Sequence, residues 1–481
     1  MFIRFSLTSH QRQYLLGFVA NFSTLMYGIS VGWVSPTIPL LMSEEETPLP
    51  IGAITKRQAS LISALLYISG LVGSLCFGWV ADRLGRKWAL YLGTIPHVIA
   101  YLLIIFAADI SYLYISRCLS GLGCGALFVA LPIYVSEVSE DKIRGGMGAI
   151  FCNMVSIGIV TGRAFGSYLD FYVVPYGVLG ILAIFIIVFP FFPETPQYLL
   201  LRQRHEAAEK SLRFLRGVSQ NLQIPLPPDV REELEALKNS PTLHNQNKRI
   251  KMEDLKPKTT RRAILISLIL ISGRSLCGVL PLDNYTATVL MEAGSHAWSP
   301  NLSALIVGVF ELIGSNLAII CVDRGGRRWN LLVSSGGSAV SIAILGAVFF
   351  VKSFYGVESA ASSWLAVVSL SAFMTLAAIG VVAIPFSVSA EVLPPKLRSP
   401  VSTTFMLLYW AMTFVIVDFF LIFGDHSGMY TPLWMCGAWC TFELIFVYFY
   451  LPETKGKSFD QVEMELKGKK RKEKEAAASP S

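Results

Sequence analysis

Charge is scarce in this 481-residue chain: Asp, Glu, Lys and Arg together make up only 15% of it, against 53% for the apolar set. Soluble domains carry ~25% charged residues. The three soluble domains that the length alone would allow are therefore excluded. The stretch from Met1 to Gln13 lacks the small-residue cleavage site of a secretory signal, so the first apolar segment is expected to insert uncleaved. All eight cysteines fall inside apolar segments and read as small buried hydrophobes, with neither a disulfide framework nor metal-ligand spacing. No nucleophile–base pair, nucleotide loop or nucleic-acid-binding patch occurs. The sequence thus reads as a non-enzyme that needs no cofactor or metal and binds no nucleic acid.

Long apolar runs are what the chain has in excess. A helix crosses a bilayer with ~20 apolar residues, and runs bounded by charges and turn residues mark twelve spans. The first six cover 14–36, 60–81, 88–108, 111–132, 146–168 and 173–192. The second six cover 263–285, 300–322, 329–351, 363–387, 399–422 and 430–451. The expected fold is an all-α membrane protein of two six-helix bundles, 14–192 and 263–451. A polar linker, 193–262, joins them and carries helical patterns at Arg204–Arg216 and Asp229–Asn239. Residues 1–13 and a charged tail, 452–481, flank the bundles. The tail is either a solvated end or a patch drawn to anionic inner-leaflet lipid.

The net charge of +7 matters less than its placement. Of the 40 Lys and Arg residues, 34 fall on the side of the termini. Three (Lys56, Arg57 and Lys352) fall on the other side, and three (Arg117, Arg163 and Arg274) lie within spans. The positive-inside rule puts both termini in the cytosol, and a multi-pass protein of the cell membrane is expected.

One pattern occurs twice. Asp82-Arg83-Leu84-Gly85-Arg86-Lys87 follows span 2, and Asp323-Arg324-Gly325-Gly326-Arg327-Arg328 follows span 8. Glu137 ends span 4 with Arg144 seven residues on, and Glu391 ends span 10 with Arg398 seven residues on. Acids at helix ends facing arginines suit a switchable cluster, since interfacial pairs contribute ~1 kcal/mol each and two-state machines differ by a few kcal/mol. Static anchoring is the alternative.

These residues resemble the major facilitator superfamily and, within it, the sugar porter (glucose-transporter-like) family. The resemblance extends to Arg117 with Gly121 and Gly125, Glu137…Arg144-Gly145, Pro193-Glu194-Thr195-Pro196 after span 6, and Pro452-Glu453-Thr454-Lys455-Gly456 after span 12. Gly32-Trp33-Val34-Ser35-Pro36 in span 1 looks like the insect facilitated trehalose transporter branch. The resemblance implies the major facilitator fold and two bundles rocking around one central site. It also implies a carrier for a sugar, hexose or trehalose-like. A same-fold carrier of a charged or zwitterionic solute and a non-transporting sugar sensor remain as alternatives. The implied partners are a small solute and the bilayer. A monomer suffices for the mechanism, and the oligomeric state stays open.

A neutral sugar needs side-chain amides and an aromatic platform, and here the family pattern is broken. The family's span-5 glutamine aligns with Cys152, its span-7 Gln-Gln pair with Arg274-Ser275, and its span-8 asparagine with Glu311. Its span-10 acid aligns with Ala378 and the tryptophan with Phe386. Its span-11 Asn-Trp becomes Tyr409-Trp410, so Trp410 alone survives. Arg274 and Glu311 have opposite charge at similar depth, and the expectation is that they pair, either lining the cavity or locking the bundle. Arg163 is expected either to snorkel outward or to face the cavity, His97 to be a core histidine, and Asn284 to be a gate contact. Asn301-Leu302-Ser303 is a weak glycosylation sequon. Proton-coupled relatives carry an acid where Ser30 stands here. Glu311, the one remaining candidate for a proton carrier, suits that role poorly if paired, so facilitated diffusion is expected.

Overall fold

In lipid every backbone polar group must find its partner internally, which favours continuous helices. The computed structural model describes residues 8–140, 143–239, 252–294, 299–356, 359–457 and 459–467. Twelve helical segments among them are long and apolar enough to cross a membrane. Spans 1–6 are Ser9–Met42, Lys56–Arg83, Arg86–Ile105, Ile110–Val138, Gly146–Tyr168 and Val174–Phe191. Spans 7–12 are Lys258–Glu292, Pro300–Val322, Arg327–Tyr355, Ala360–Val392, Pro395–Ser427 and Tyr430–Tyr450. The even number returns the chain to the side on which it began. That side, which holds both ends of the chain and the linker, is the terminal side; the other is the far side.

Local chemistry sets the helix ends. Thr55 and Gln58 form a capping box at the start of span 2, Asp109 caps span 4, and Ser299 accepts from the Leu302 amide ahead of Pro300 in span 8. Within the first half, spans 1 and 5 meet through small residues: a Cβ on Gly28 would sit 2.2 Å from the Val155 carbonyl, and one on Gly158 2.4 Å from that of Leu25. Such backbone contact is how helices associate where lipid is as apolar as the side chains. The linker carries helices His205–Leu215 and Pro228–Lys238, and the linker is pinned to the first half. Tyr198 Oη donates to the Arg83 carbonyl at 2.7 Å, and the Leu215 carbonyl receives Ser9 at 3.3 Å and Gln13 at 3.4 Å. Arg216 adds an ion pair to Glu140 at 3.6 Å.

Three spans are broken. Span 1 consists of Ser9–Gly32 and Val34–Met42. Span 7 breaks at Gly278, whose φ of +98° is left-handed and favours glycine. Span 10 passes through a π turn at Ala378–Val382 before Pro385. Spans 1 and 7 run past the 14–36 and 263–285 expected from hydropathy because their second segments, Val34–Met42 and Val279–Glu292, pack on one another across the two halves. Spans 2 with 11 and 5 with 8 complete that interface.

Candidate functional site

The breaks in spans 7 and 10 meet at a cleft between the halves, mostly apolar with a few polar groups. Its free volume is about 50 Å³, and Arg274, Glu311, Cys152, Ser156, Ser315 and Phe128 are among its lining residues. At ~10–15 Å³ of such volume per water it has room for a few waters in this state. The helical ladder is interrupted between the π turn Ala378–Val382 and the helix that begins at Pro385, and the Val382 carbonyl at this break is left for a side chain. Arg274 Nη1 donates to it. The guanidinium also stacks over Phe386 and Tyr409, 5.5 Å from each ring centroid.

The expected Arg274–Glu311 pair is not formed: among the described residues no ion pair joins them. Glu311 turns instead toward Arg163 of span 5, at 3.9 Å. Arg163 does not snorkel. It is fully buried, donates to Asp283 at 2.8 Å, to Thr286 at 3.0 Å and to the Ala304 carbonyl at 3.3 Å. A Cβ on Gly308 would lie 2.8 Å from its Nη1, so that glycine makes room for the guanidinium. Asp283 escaped the sequence reading, which named Glu311 as the sole internal acid near the pathway. An acid inside an apolar span is itself a signal of function, and Asp283 carries it.

The other expected contacts lie outside the cleft. Trp410 is fully buried in an aromatic cluster that bridges the halves, with ring centroids 5.2 Å from Phe128, 6.2 Å from Tyr67 and 6.5 Å from Tyr27. Tyr409 packs beside it at 5.6 Å. Ser275 faces span 11, donating to the Tyr409 carbonyl and accepting from Thr413 at 3.1 Å. Asn284 Nδ2 donates to Tyr67 Oη at 2.8 Å across the interface. His97 is buried against the Gly93 carbonyl, as expected of a core residue. The Asn301 sequon is absorbed into the first turn of span 8 with Ser303 buried, a poor presentation for a glycan, which calls for a surface loop.

On the far side, charges join the halves. Arg57 Nη1 reaches both oxygens of Asp418 at 2.8 Å, Ser60 donates to the same carboxylate at 2.5 Å, and Lys56 pairs with Asp425. Ser35 accepts from the Ala287 amide at 3.0 Å. Asp418 was likewise missed, although it stands alone in an apolar run. Two of the three basic residues that the sequence spares for this side serve this closure.

On the terminal side the repeated motifs form two clusters, and each closes within its own half. Arg86 pairs with Glu137 at 3.3 Å, and Arg327 with Glu391 at 3.2 Å. Asp82, Arg83, Arg324 and Arg398 are exposed, with Arg83 over the Trp79 ring. The side chains of Arg144 and Asp323 lie outside the described residues. The two Pro-Glu-Thr motifs have a role the sequence did not disclose. Glu194 accepts from the Lys87 amide at 3.1 Å, and Glu453 accepts from the Arg327 and Arg328 amides at 2.9 and 3.1 Å. Each caps the helix that follows its hairpin. Gly85 and Gly326, at φ +114° and +82°, leave room for the carboxylate, which a Cβ would approach to 2.1 and 2.6 Å. Burial raises Glu194 above the usual carboxylate range. Burial also pushes Glu453 upward, but the amides of Lys455, Arg327, Arg328 and Thr454 hold it below that range.

Residues 16–466 match the model of the family described as sugar (and other) transporter. The chain belongs to this family. It is a multi-pass membrane transporter, and not an enzyme. The transporter is 29% identical over 461 residues to the facilitated trehalose transporter Tret1 of Culex quinquefasciatus, covering 96% of this chain and 87% of that one. It is 28% identical to Tret1 of Bombyx mori, covering 97% and 89%. It spans only about half (49%) of Tret1 from Drosophila virilis. Among solved structures, the transporter matches the inward open conformation of the xylose transporter XylE from E. coli with a TM-score of 0.76 at 18% identity, over 94% of this chain and 99% of that one. The fold is therefore that of the major facilitator superfamily, as the sequence motifs implied.

Proposed function

We propose that this transporter is a facilitative carrier of a sugar, hexose or trehalose-like, resident in the plasma membrane with both termini in the cytosol. Access alternates as the two six-span halves rock about the cleft. The observation that carries this reading is the far-side closure: Arg57 and Lys56 of one half hold Asp418 and Asp425 of the other. The similarity to Tret1 over nearly the whole chain supports the solute class. Ser30 supports uniport over proton symport. Its hydroxyl and carbonyl receive Arg117 Nη1 at 2.8 and 2.7 Å, so neutral groups meet this arginine at the position where an acid would be needed to carry a proton. A single chain contains the whole pathway. The test is uptake by proteoliposomes at equal internal and external pH, with glucose, trehalose, myo-inositol and amino acids as solutes. Protein-dependent equilibration of a sugar is expected. Sugar flux that requires a proton gradient would remove the uniport assignment, and absence of any sugar flux would remove the solute class.

A further inference from the structure

The cleft is electrically lopsided, and its two ends call for different chemistry. At one end the guanidinium of Arg163, from the opposite half, holds Asp283 at 2.8 Å and stands 3.9 Å from Glu311, so one cation faces two carboxylates. Glu311 Oε2 has no hydrogen-bond partner and can accept from a hydroxyl. Ser315, one helical turn further along span 8, lines the same end. At the other end Arg274 has a carbonyl and two ring faces, but among the described residues no carboxylate lies within ion-pair distance of it. Glu443 of span 12 lies against Gly273 and, among the described residues, makes no ion pair with Arg274. A charged side chain at this depth costs ~2.5–3.5 kcal/mol or more unless it is compensated. Two helices also begin here: Val279–Glu292, whose first residue lines the cleft, and Pro385–Val392, which starts two residues after the lining residue Ala383. Helix N-termini favour an anion by ~0.3–1 kcal/mol each.

We propose that the Arg274 end of the cleft is a subsite for a carboxylate, and that the solute is a monoanionic sugar acid such as a hexuronate. This deepens the sugar-carrier reading and rests on it. The solute's carboxylate takes Arg274 through charge-assisted hydrogen bonds, and its hydroxyls donate to Glu311 and Ser315. A zwitterionic amino acid such as alanine lacks the hydroxyls that Glu311 and Ser315 would receive. A sugar phosphate would bring a second negative charge that one arginine does not answer.

Proteoliposomes containing the full chain are loaded separately with D-glucuronate, D-glucose, trehalose, glucose 6-phosphate and alanine, and counterflow is measured for wild type, Arg274→Gln and Arg274→Lys. Thermal unfolding in detergent confirms that each variant is folded. Glucuronate flux at least tenfold above that of glucose is expected. Arg274→Gln should lower the glucuronate-to-glucose ratio tenfold or more, and Arg274→Lys should restore part of it. If wild type moves glucose or trehalose as fast as glucuronate and the ratio does not change in Arg274→Gln, the carboxylate subsite is overturned while the sugar reading stands. A preference for alanine or for glucose 6-phosphate overturns it in favour of those classes. If none of the sugars or their acids moves, the sugar-carrier reading falls with it.

Discussion

On the far side of the membrane Asp418 and Asp425 take Arg57 and Lys56 from the other half, whereas on the terminal side Glu137 and Glu391 each take an arginine from their own half. A pair inside one half survives whichever way the halves rock, so it braces the bundle. A pair between halves must break for that face to open, so it sets the balance between states. The motif that the sequence repeats is thus the brace, and the unrepeated acids are the gate. In this far-side-closed state Glu137 and Glu391 each pair within their own half and Arg398 is exposed, while the Arg144 side chain lies outside the described residues.

The comparison breaks first at the midplane. Among the described residues, Arg163 is the one cation that ties span 5 of the first half to spans 7 and 8 of the second. Asp283→Asn combined with Glu311→Gln strands it without a carboxylate. Removing the partner of a buried charge costs ~3–5 kcal/mol, and unfolding in detergent should register a loss of that order. A loss under ~1 kcal/mol would mean that the triad holds nothing together. Asp283→Asn alone should cost less, because Glu311 is at hand.

The far-side gate ranks next. Asp418 is buried and holds Arg57 with both oxygens, and hydrogen bonds to charged groups are worth ~1.5–3 kcal/mol. Asp418→Asn should therefore shift the population toward a far-side-open state by about tenfold or more. Amide exchange should accelerate at the far-side ends of spans 2 and 11, while Glu391→Gln leaves those amides unchanged. If Glu391→Gln loosens the far side as much as Asp418→Asn, the division between brace and gate is wrong. Lys56 and Asp425 are both well exposed, so Lys56→Gln should change the same exchange by less than ~1 kcal/mol. That difference should fade at high salt.

What the sequence made legible, and what it hid, follows the same physics. Run length and charge placement are one-dimensional signals, so the twelve spans and the clustering of basic residues on one side could be read directly. The breaks at Gly278 and Pro385 are punctuated by the residues themselves. The pairing of Arg274 with Glu311 could not be read, because depth along a helix says nothing of azimuth. Arg274 looks toward spans 10 and 11, where Val382, Phe386 and Tyr409 receive it. Glu311 looks across to span 5. Trp410 matched the family position yet sits within the aromatic contact between halves, because a one-letter match carries no information about which state the rocking bundles occupy. Asp283 and Asp418 were visible as acids in apolar runs. They were passed over only because no family motif pointed to them.

The smallest expected effect separates the two caps. Glu194 is raised by burial in spite of the Thr195 and Lys87 amides it accepts, so its neutral form is favoured in the folded protein. Its contribution to stability declines as pH rises from the ordinary carboxylate value of ~4.3 through its own raised value, and it is regained on acidification. For Glu453 burial acts in the same direction but four amides prevail, so its charged form is favoured. Its contribution is present above ~4.3 and lost as pH falls through its lowered value. Acid titration should therefore reduce amide-exchange protection at Arg327 and Arg328 while protection at Lys87 holds or rises. Glu453→Gln should abolish the divergence. Parallel loss of protection at both helix starts would show that the two caps, alike in motif and in glycine, are also alike in charge. The asymmetry between the halves would then have to lie in Thr195, which donates to Glu137 at 2.5 Å, where the hydroxyl of its counterpart Thr454 is buried without a partner.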